Sequence, residues 1–297
     1  MITISNTYWS TYVQTSEELY ESRKLRFTES NKDLWLKALK VKSNSSVLEV
    51  GCGSGLFCLR IKSFIPSIHI TGLDRDQNHI NFATEKAKEK NLNCNFITGD
   101  AHNLPFKSNS LDLCYSYTVF DFCDPNKFVN EQRRVLKTGG KIALMNVGGG
   151  INSESWKPQQ ENSEKHLFDK LWNEARKNTL SNIPKNGVKI AQYPSLLQQA
   201  GFNNINLDTF SIITYAPDNI TINKKTALKQ INENRLSQLH SVKKAKLLAP
   251  NALTVAEYQE LTKLINEKYD SRIEQYNSGV RLWDYSTSNI FIVTGTK

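Results

Sequence analysis

Three glycines that alternate with small residues follow a short apolar segment. They are Gly51, Gly53 and Gly55 of VLEVGCGSG, residues 47–55. Glycine permits the positive φ angles of a tight turn, and it lets a ligand approach the backbone because it has no Cβ. A loop of this kind after a strand predicts a nucleotide-type ligand, for which NAD, ATP and S-adenosylmethionine are all candidates.

The spacing of this loop and the acid before it narrow the choice of ligand. The glycines follow GxGxG, whereas dinucleotide folds use GxGxxG, and the GK[ST] of a phosphate-binding P-loop is missing from the sequence. Glu49 stands two residues before Gly51. Its carboxylate would repel a pyrophosphate and attract a ligand with an ammonium or sulfonium group. A purely structural role, hydrogen bonding to loop amides, is also open to Glu49.

Acidic residues also follow the next two apolar segments. Asp74 closes HITGLD, and Asp100 with Ala101 follows CNFITG. Open parallel sheets bind ligands at the carboxyl ends of their strands, where Asp74 can accept hydrogen bonds from ribose hydroxyls. Asp100 and the amide of Ala101 can bind the edge of an adenine. Features at three successive strand ends therefore favour an adenosine site.

The elements that position these residues alternate between 46 and 147. Amphipathic segments separate five short apolar ones, which we expect to be strands at 47–50, 69–74, 94–100, 111–117 and 141–147. Asp124-Pro125 is typical of a helix start, with an N-cap and a first-turn proline. Strands that alternate with helices at this spacing predict an α/β fold with a parallel sheet covered on both faces.

Five motifs, in their order and spacing, resemble class I S-adenosylmethionine-dependent methyltransferases. They are VLEVGCGSG, GLDRD, GDAHNLPF, LDLCYSYTVF and RVLKTGGKIAL. The similarity covers about 45–147, with 193–207 resembling the next helix and strand, and it is closest to enzymes that methylate small molecules. It implies a Rossmann-like, seven-stranded, mostly parallel sheet whose last strand, here 288–296, is antiparallel. It also implies S-adenosyl-L-methionine as cofactor and S-adenosyl-L-homocysteine as product.

The resemblance implies a set of cofactor-binding residues by motif match. The glycine loop would face the methionine end, Asp74 the ribose, Asp100 the adenine and Ser116 the methionyl portion. The full set is Glu49, Gly51, Cys52, Gly53, Gly55, Asp74, Arg75, Asp100, Ala101, Ser116 and Tyr117.

Catalytic residues are less clearly indicated. Many relatives carry a histidine after the fourth strand, where this sequence has Phe122, so a histidine base is unsupported there. Asp121 is a possible substitute, and Tyr117 and His240 are further candidates. A general base is needed only if the acceptor must lose a proton. The (D/N)PPY segment typical of nucleobase amino methylation does not occur, which disfavours a nucleic-acid substrate.

Aromatic residues could line the acceptor site and stabilise a cation. The candidates are Tyr8, Trp9, Tyr12 and Tyr115. For the N-terminal three, the alternative is a helix that packs on the core. The five cysteines lack metal-ligand spacing, so no metal site is predicted.

The segments outside the motifs suggest a cap and two insertions. We expect a helical N-terminal cap at 1–45 and a cofactor-binding core at 46–147. The end of the core sheet should lie at 193–215 and 286–297. Insertions at 148–192 and 216–285, the second one helical, would act as lids over an enclosed pocket.

Composition and charge restrict the partners. The 39% apolar and 23% charged residues are ordinary for a soluble globular protein. The net charge of +9 is spread over both halves, which makes nucleic acid an unlikely partner. We expect a small-molecule substrate, no membrane span and a cytoplasmic location, and the sequence predicts no oligomeric state. The alternatives are an RNA- or protein-modifying methyltransferase, a nicotinamide-dependent oxidoreductase and a non-catalytic scaffold.

Overall fold

The structure is a computed structural model that describes residues 9–24, 26–150, 152–153, 161–180 and 186–297. Among these residues, three α-helices precede the first strand: α1 (Trp9–Tyr12), α2 (Ser16–Lys24) and α3 (Lys32–Leu39). Strands and helices then alternate through β1 (Ser46–Val50), α4 (Leu56–Phe64), β2 (His69–Asp74), α5 (Gln77–Glu89), β3 (Asn95–Thr98), β4 (Leu111–Tyr117), α6 (Pro125–Val135) and β5 (Leu136–Gly148).

The second half of the chain adds three strands and four helices to the described residues. They are β6 (Asn152–Ser153), α7 (Glu161–Leu180), α8 (Tyr193–Gln199), β7 (Asn203–Tyr215), α9 (Lys224–Leu248), α10 (Val255–Asn277) and β8 (Tyr285–Thr296). None of the helices in the described part of the chain is long and apolar enough to cross a membrane.

The strands form one sheet in the order β3-β2-β1-β4-β5-β8-β6, with β7 also paired to β8. The first five strands are parallel to one another, and β8 runs antiparallel to β5, with Lys141 opposite Thr296 and Gly148 opposite Asn289. The predicted seven-stranded, mostly parallel sheet with an antiparallel last strand is confirmed. The two-residue β6, which pairs with β8, is an addition that the sequence did not indicate.

Side-chain capping fixes the starts of two crossover helices. Asp124 accepts a hydrogen bond from the amide of Lys127 at 2.8 Å, which confirms the predicted start of α6. Asp76 caps α5 by accepting from the amide of Asn78 at 3.0 Å. These bonds satisfy amides that have no partner within the helix.

The alternation of side chains along the buried strands supplies two apolar cores. In β1, Val47 contributes to a core with Trp35 and Phe57, and Leu48 contributes to a second core with Phe128. Successive strand residues point to opposite faces, so each face of the sheet is covered by helices.

The chain divides into two compact units. The first contains 1–148, 185–212 and 289–297, and the second contains 149–184 and 213–288. In the second unit α7, α9 and α10 share an apolar core that includes Leu171, Ile231 and Ile265. Most residues of both predicted insertions belong to this unit, and their role as lids stays a prediction.

Candidate cofactor and active site

The glycine loop connects β1 to α4 and is tied to the end of β2. The amides of Gly51 and Cys52 both donate to the carbonyl of Leu73, at 2.7 and 2.9 Å. Gly51, Gly53 and Gly55 have φ values of 74°, 51° and 76°, a region that side chains with a Cβ disfavour. The loop therefore has the conformation for which its glycines were predicted.

Asp74 holds the same loop from the end of β2. Its Oδ2 accepts a hydrogen bond from the amide of Gly53 at 2.8 Å, and its Oδ1 accepts from the amide of Asp76 at 2.9 Å. Burial is the largest influence on its carboxyl group and raises its pKa, while the two amides act in the opposite direction. A carboxylate oxygen has two lone pairs, so each oxygen can accept one further hydrogen bond.

Glu49 is buried beneath the loop, with 3% of its surface exposed. Its Oε2 accepts hydrogen bonds from the Cys58 amide at 3.1 Å, the Cys58 thiol at 2.9 Å and the Tyr115 hydroxyl at 2.9 Å. Burial raises the pKa of Glu49 to about 7, although these three donors and Arg23 lower it. These hydrogen bonds agree with a structural role for Glu49, one of its two predicted roles. Glu49 also lines the cleft described next.

A cleft lies between the glycine loop and α2. The β1–α4 region supplies most of its lining, Tyr117 comes from the end of β4, and Leu19 and Arg23 come from α2. Sequence reasoning missed Leu19 and Arg23, because nothing local in α2 indicates which residue faces the loop. The other lining residues are Glu49, Gly51, Cys52, Gly53, Ser54, Leu56 and Phe57.

The N-terminal helices are joined to the regions that follow β2 and β4. The amide of Ser10 donates to Asp76 Oδ2 at 2.7 Å, and Ser16 Oγ lies 2.8 Å from His79 Nδ1. The ring of Trp9 lies edge-on to that of Phe122, with 4.9 Å between their centroids. Among the predicted aromatic residues, Tyr8 and the side chain of Tyr12 lie outside the described residues.

Asp100 is exposed at the end of β3 and already has a partner. Its Oδ1 accepts from the His102 amide at 2.9 Å and lies 3.0 Å from His102 Nδ1. His102 Nε2 in turn accepts from the Asp124 amide at 2.9 Å. His102, which the sequence analysis did not select, thus links the end of β3 to the start of α6.

Charged residues from the ends of β2 and β3 act on the thiol of Cys123, which lies between β4 and α6. Burial raises the pKa of the Cys123 thiol to about 12; Arg75 lowers it, and the carboxylates of Asp100 and Asp74 raise it. The predicted ribose and adenine residues therefore share one region of the structure. Ala101 follows Asp100 in the turn after β3.

The predicted residues of β4 have different environments. Tyr115 is fully buried with its hydroxyl bonded to Glu49, and Ser116 is buried without a hydrogen-bond partner for its Oγ among the described residues. Tyr117 lines the cleft, and its hydroxyl accepts from Arg26 at 3.1 Å. Because Tyr115 belongs to the core, we assign it to positioning Glu49 rather than to acceptor contact.

Asp121 is held by two residues that sequence analysis missed. Its Oδ1 accepts hydrogen bonds from Asn146 Nδ2 at 3.0 Å and from the Tyr193 hydroxyl at 2.9 Å. Asn146 Nδ2 also donates to the Tyr193 hydroxyl at 2.8 Å. Burial raises the pKa of Tyr193, which keeps this hydroxyl protonated as a donor. His240 is exposed on α9 in the second unit.

A family model described as a methyltransferase domain matches residues 41–201, more than half of the chain. The chain belongs to the methyltransferase domain family. Demethylmenaquinone methyltransferase of Listeria monocytogenes serotype 4b is 29% identical to this methyltransferase over 178 residues, which are 57% of this chain and 75% of the relative. The same enzyme of Staphylococcus haemolyticus is 28% identical over 192 residues, or 59% and 76% of the two chains.

Solved structures show the same fold at low sequence identity. Phosphoethanolamine N-methyltransferase 2 of Haemonchus contortus, with phosphomonomethylethanolamine and S-adenosylhomocysteine, has a TM-score of 0.56 and 16% identity. The match covers all of this chain and 60% of that one. The [4+2]-cyclase SpnF has a TM-score of 0.50 and 18% identity, with 99% and 83% covered.

Family membership confirms the predicted enzyme class, an S-adenosylmethionine-dependent methyltransferase, and its cofactor. The nicotinamide-dependent oxidoreductase, one of the alternatives from the sequence, is not supported by the family. The residues around the cleft fit the cofactor, since a loop with glycines at alternate positions adjoins both an acid and a half-buried arginine.

Proposed function

We propose that this methyltransferase transfers the methyl group of S-adenosyl-L-methionine to a small-molecule acceptor. The observation that carries the proposal is the glycine loop after β1, whose Gly53 amide is held by Asp74 at the end of β2. Glu49 lines the cleft beside this loop. The names of the relatives support a small acceptor, since they describe a demethylmenaquinone and a phosphoethanolamine methyltransferase.

The cofactor supplies an electrophilic methyl group on a sulfonium, and the chain supplies binding and alignment. In this proposal Asp74 binds the ribose hydroxyls, and Asp100 with Ala101 binds the adenine. Glu49 and the glycine loop bind the amino-acid end. Displacement at the methyl group requires the acceptor atom in line at about 3–3.5 Å, so alignment in a water-poor cleft lowers much of the barrier.

We propose that the carboxylate of Asp121 contacts the methyl acceptor. Two donors occupy its Oδ1, which fixes the carboxylate and leaves Oδ2 as the atom available to an acceptor. The segment that contains Asp121 adjoins the glycine loop, because a Cβ on Gly51 would lie 2.3 Å from Val119 Cγ2. Asp121 could therefore accept a proton from an acceptor hydroxyl, carbon acid or ammonium group.

The test compares thermal unfolding with S-adenosylhomocysteine and with NADH. A ligand at 100 times its Kd stabilises by about 2.7 kcal/mol, which should raise Tm by roughly 5 °C. We expect this shift with S-adenosylhomocysteine and none with NADH. A folded protein that S-adenosylhomocysteine does not stabilise would contradict the proposal.

A methyl-acceptor screen with labelled S-adenosyl-L-methionine tests the acceptor class. Its arms are prenylated hydroquinones, phosphorylated amines, total RNA and protein extract. We expect turnover with a small molecule, and salt-sensitive labelling of RNA or protein alone would instead favour the macromolecular alternative.

The ribose assignment predicts the effect of Asp74→Ala on cofactor binding. The variant should bind S-adenosylhomocysteine more than about tenfold less tightly, since two charge-assisted hydrogen bonds are lost. Asp74→Asn should lose less, because its amide oxygen can still accept from the Gly53 amide. Asp33→Ala, which removes an exposed carboxylate of α3, is the matched control. Calorimetry measures the affinities. An unchanged affinity for Asp74→Ala would show that Asp74 does not bind the ribose.

A further inference from the structure

One cationic side chain of α2 lines the candidate cleft. Arg23 faces it together with Glu49 and Tyr117. The guanidinium carbon lies 4.6 Å from the centroid of the Tyr117 ring, and Nη2 donates a hydrogen bond to Thr118 Oγ1 at 2.8 Å. Burial lowers the pKa of Arg23 to about 10, so the side chain stays charged at neutral pH.

The charge of Arg23 has no ion-pair partner in the described part of the chain. Every ion pair found there joins other residues, and the hydrogen bond of Arg23 goes to the neutral hydroxyl of Thr118. Glu49, the acid that shares the cleft, bonds to Cys58 and Tyr115 instead. Arg23 is half-buried, and a charge that is partly removed from water without a counter-charge is costly, so proteins pair such groups with one another or with a ligand.

We propose that Arg23 binds the α-carboxylate at the amino-acid end of the cofactor, with Glu49 facing the ammonium group of the same end. This inference rests on the proposed function and adds to it a residue outside the motif series. The planar guanidinium can donate two parallel hydrogen bonds to a carboxylate, a geometry that lysine lacks. The cleft then offers one charge of each sign to a zwitterion.

Packing of α2 on the loop fixes the position of Arg23. A Cβ on Gly53 would lie 2.6 Å from Leu19 Cδ2, so Leu19 occupies the space above this glycine. Leu19 and Arg23 are four residues apart and therefore share one face of the helix. The same contact that places Leu19 against the loop thus directs Arg23 into the cleft.

The test compares two ligands that differ only in the carboxylate. S-Adenosylhomocysteine carries it, and the decarboxylated analogue, S-adenosyl-3-thiopropylamine, keeps the ammonium and the adenosine. Calorimetry on the full chain should show that the wild type binds S-adenosylhomocysteine at least about tenfold more tightly. Arg23→Met should lose most of this difference, with the analogue affected by no more than about twofold.

Two further variants distinguish the effect of the planar geometry of Arg23 from that of its charge, and both from the effect of any positive charge on α2. Arg23→Lys should keep part of the preference, because it retains the charge without the planar donors. Lys24→Met is the matched control: it removes one positive charge from the next residue of α2, whose Nζ lies 2.5 Å from Glu21 in an exposed ion pair. We expect Lys24→Met to leave the ratio of the two affinities unchanged.

The outcomes distinguish this inference from the proposed function. Equal affinity of the wild type for both ligands overturns the role of Arg23 but leaves the adenosine site in place. An equal loss of both ligands in Arg23→Met also overturns it and shows a structural role through Thr118. If the folded wild type binds neither ligand, the proposed function fails and the inference fails with it.

Discussion

Glu49 shows how burial sets the charge of a single residue in the candidate site. Three donors converge on its Oε2 and favour the carboxylate, yet the loss of hydration outweighs them and raises its pKa to about 7. Near neutral pH the group is therefore divided between its acid and carboxylate forms. A bound ammonium group would shift this balance towards the carboxylate.

The raised pKa of Glu49 predicts a pH-dependent stability that Glu49→Gln abolishes. The folded pKa of about 7 exceeds the ordinary value of 4.5, so the folded state binds the proton more tightly than the unfolded chain. Stability from this group is fully present below pH 4.5 and is lost as the pH rises through 7. Glutamine cannot lose a proton, so the variant should gain roughly 3 kcal/mol relative to the wild type across this window.

Urea unfolding of the ligand-free protein from pH 4 to pH 8.5 measures this effect. Other groups titrate in both proteins, so the informative quantity is the difference between their free energies of unfolding. The amide oxygen of glutamine can still accept from Tyr115 and from the Cys58 amide, which preserves the local packing. A difference that does not change with pH would contradict the prediction.

The β1–α4 loop shows, at the scale of an element, why its glycines are there. Gly51 has φ of 74°, and a Cβ added to it would lie 2.3 Å from Val119 Cγ2, so the loop needs both the backbone conformation and the space. Gly139 has a similar φ of 79° with nothing within 4 Å of an added Cβ. Substitutions at the two positions therefore distinguish the cost of the backbone conformation, which both share, from the cost of steric crowding, which only Gly51 has.

Gly51→Ala should destabilise the protein more than Gly139→Ala does. Both variants place a side chain in the left-handed region, at a cost of about 1–2 kcal/mol. Only Gly51→Ala also forces the segment around Val119 to move, which should add roughly 2 kcal/mol. Urea unfolding measures both losses, and S-adenosylhomocysteine affinity should fall in Gly51→Ala alone. Equal losses of stability would show that the segment around Val119 moves without a further loss of free energy.

At the scale of the whole molecule, the second unit contains a buried ionic cluster beside its apolar core. Arg272 is fully buried, and its Nη2 donates to Asp218 Oδ2 and Asp284 Oδ1, both at 2.7 Å. Tyr215 donates to Asp284 Oδ2 at 2.8 Å. The cluster connects α10 with the segments after β7 and before β8. Removing the arginine would leave two buried carboxylates without their shared counter-charge.

Arg272→Met should therefore destabilise the second unit strongly, by about 3–5 kcal/mol. Arg281→Met is the matched control, because Arg281 is 41% exposed and its Nε lies 3.8 Å from Asp218 Oδ1. Only the arginine of this pair is exposed, since Asp218 is buried, and at 3.8 Å the guanidinium keeps its contact with water, so we expect its loss to cost less than about 1 kcal/mol. Hydrogen exchange should become faster in α10 in Arg272→Met, while β1 and β2 serve as the internal reference. Similar exchange in both variants would show that the cluster contributes little.

Local sequence patterns determined the architecture of the first unit. Short apolar segments, helix caps and glycines with positive φ depend on neighbouring residues, so β1, β2 and the start of α6 could be predicted closely. The motif series also identified the cofactor, because the resemblance to class I S-adenosylmethionine-dependent methyltransferases rests on short segments such as VLEVGCGSG and GLDRD. The two-residue β6 had no such pattern and was missed.

Only the tertiary structure decided which distant side chains enter the site. Arg23 reaches the cleft because Leu19 packs on Gly53. Asn146 of β5 and Tyr193 of α8 reach Asp121, which follows β4. None of these pairs is marked by spacing along the chain. Contacts between residues far apart in sequence depend on how helices dock on the sheet, so the sequence alone specified the glycine loop, and the packed fold specified which side chains surround it.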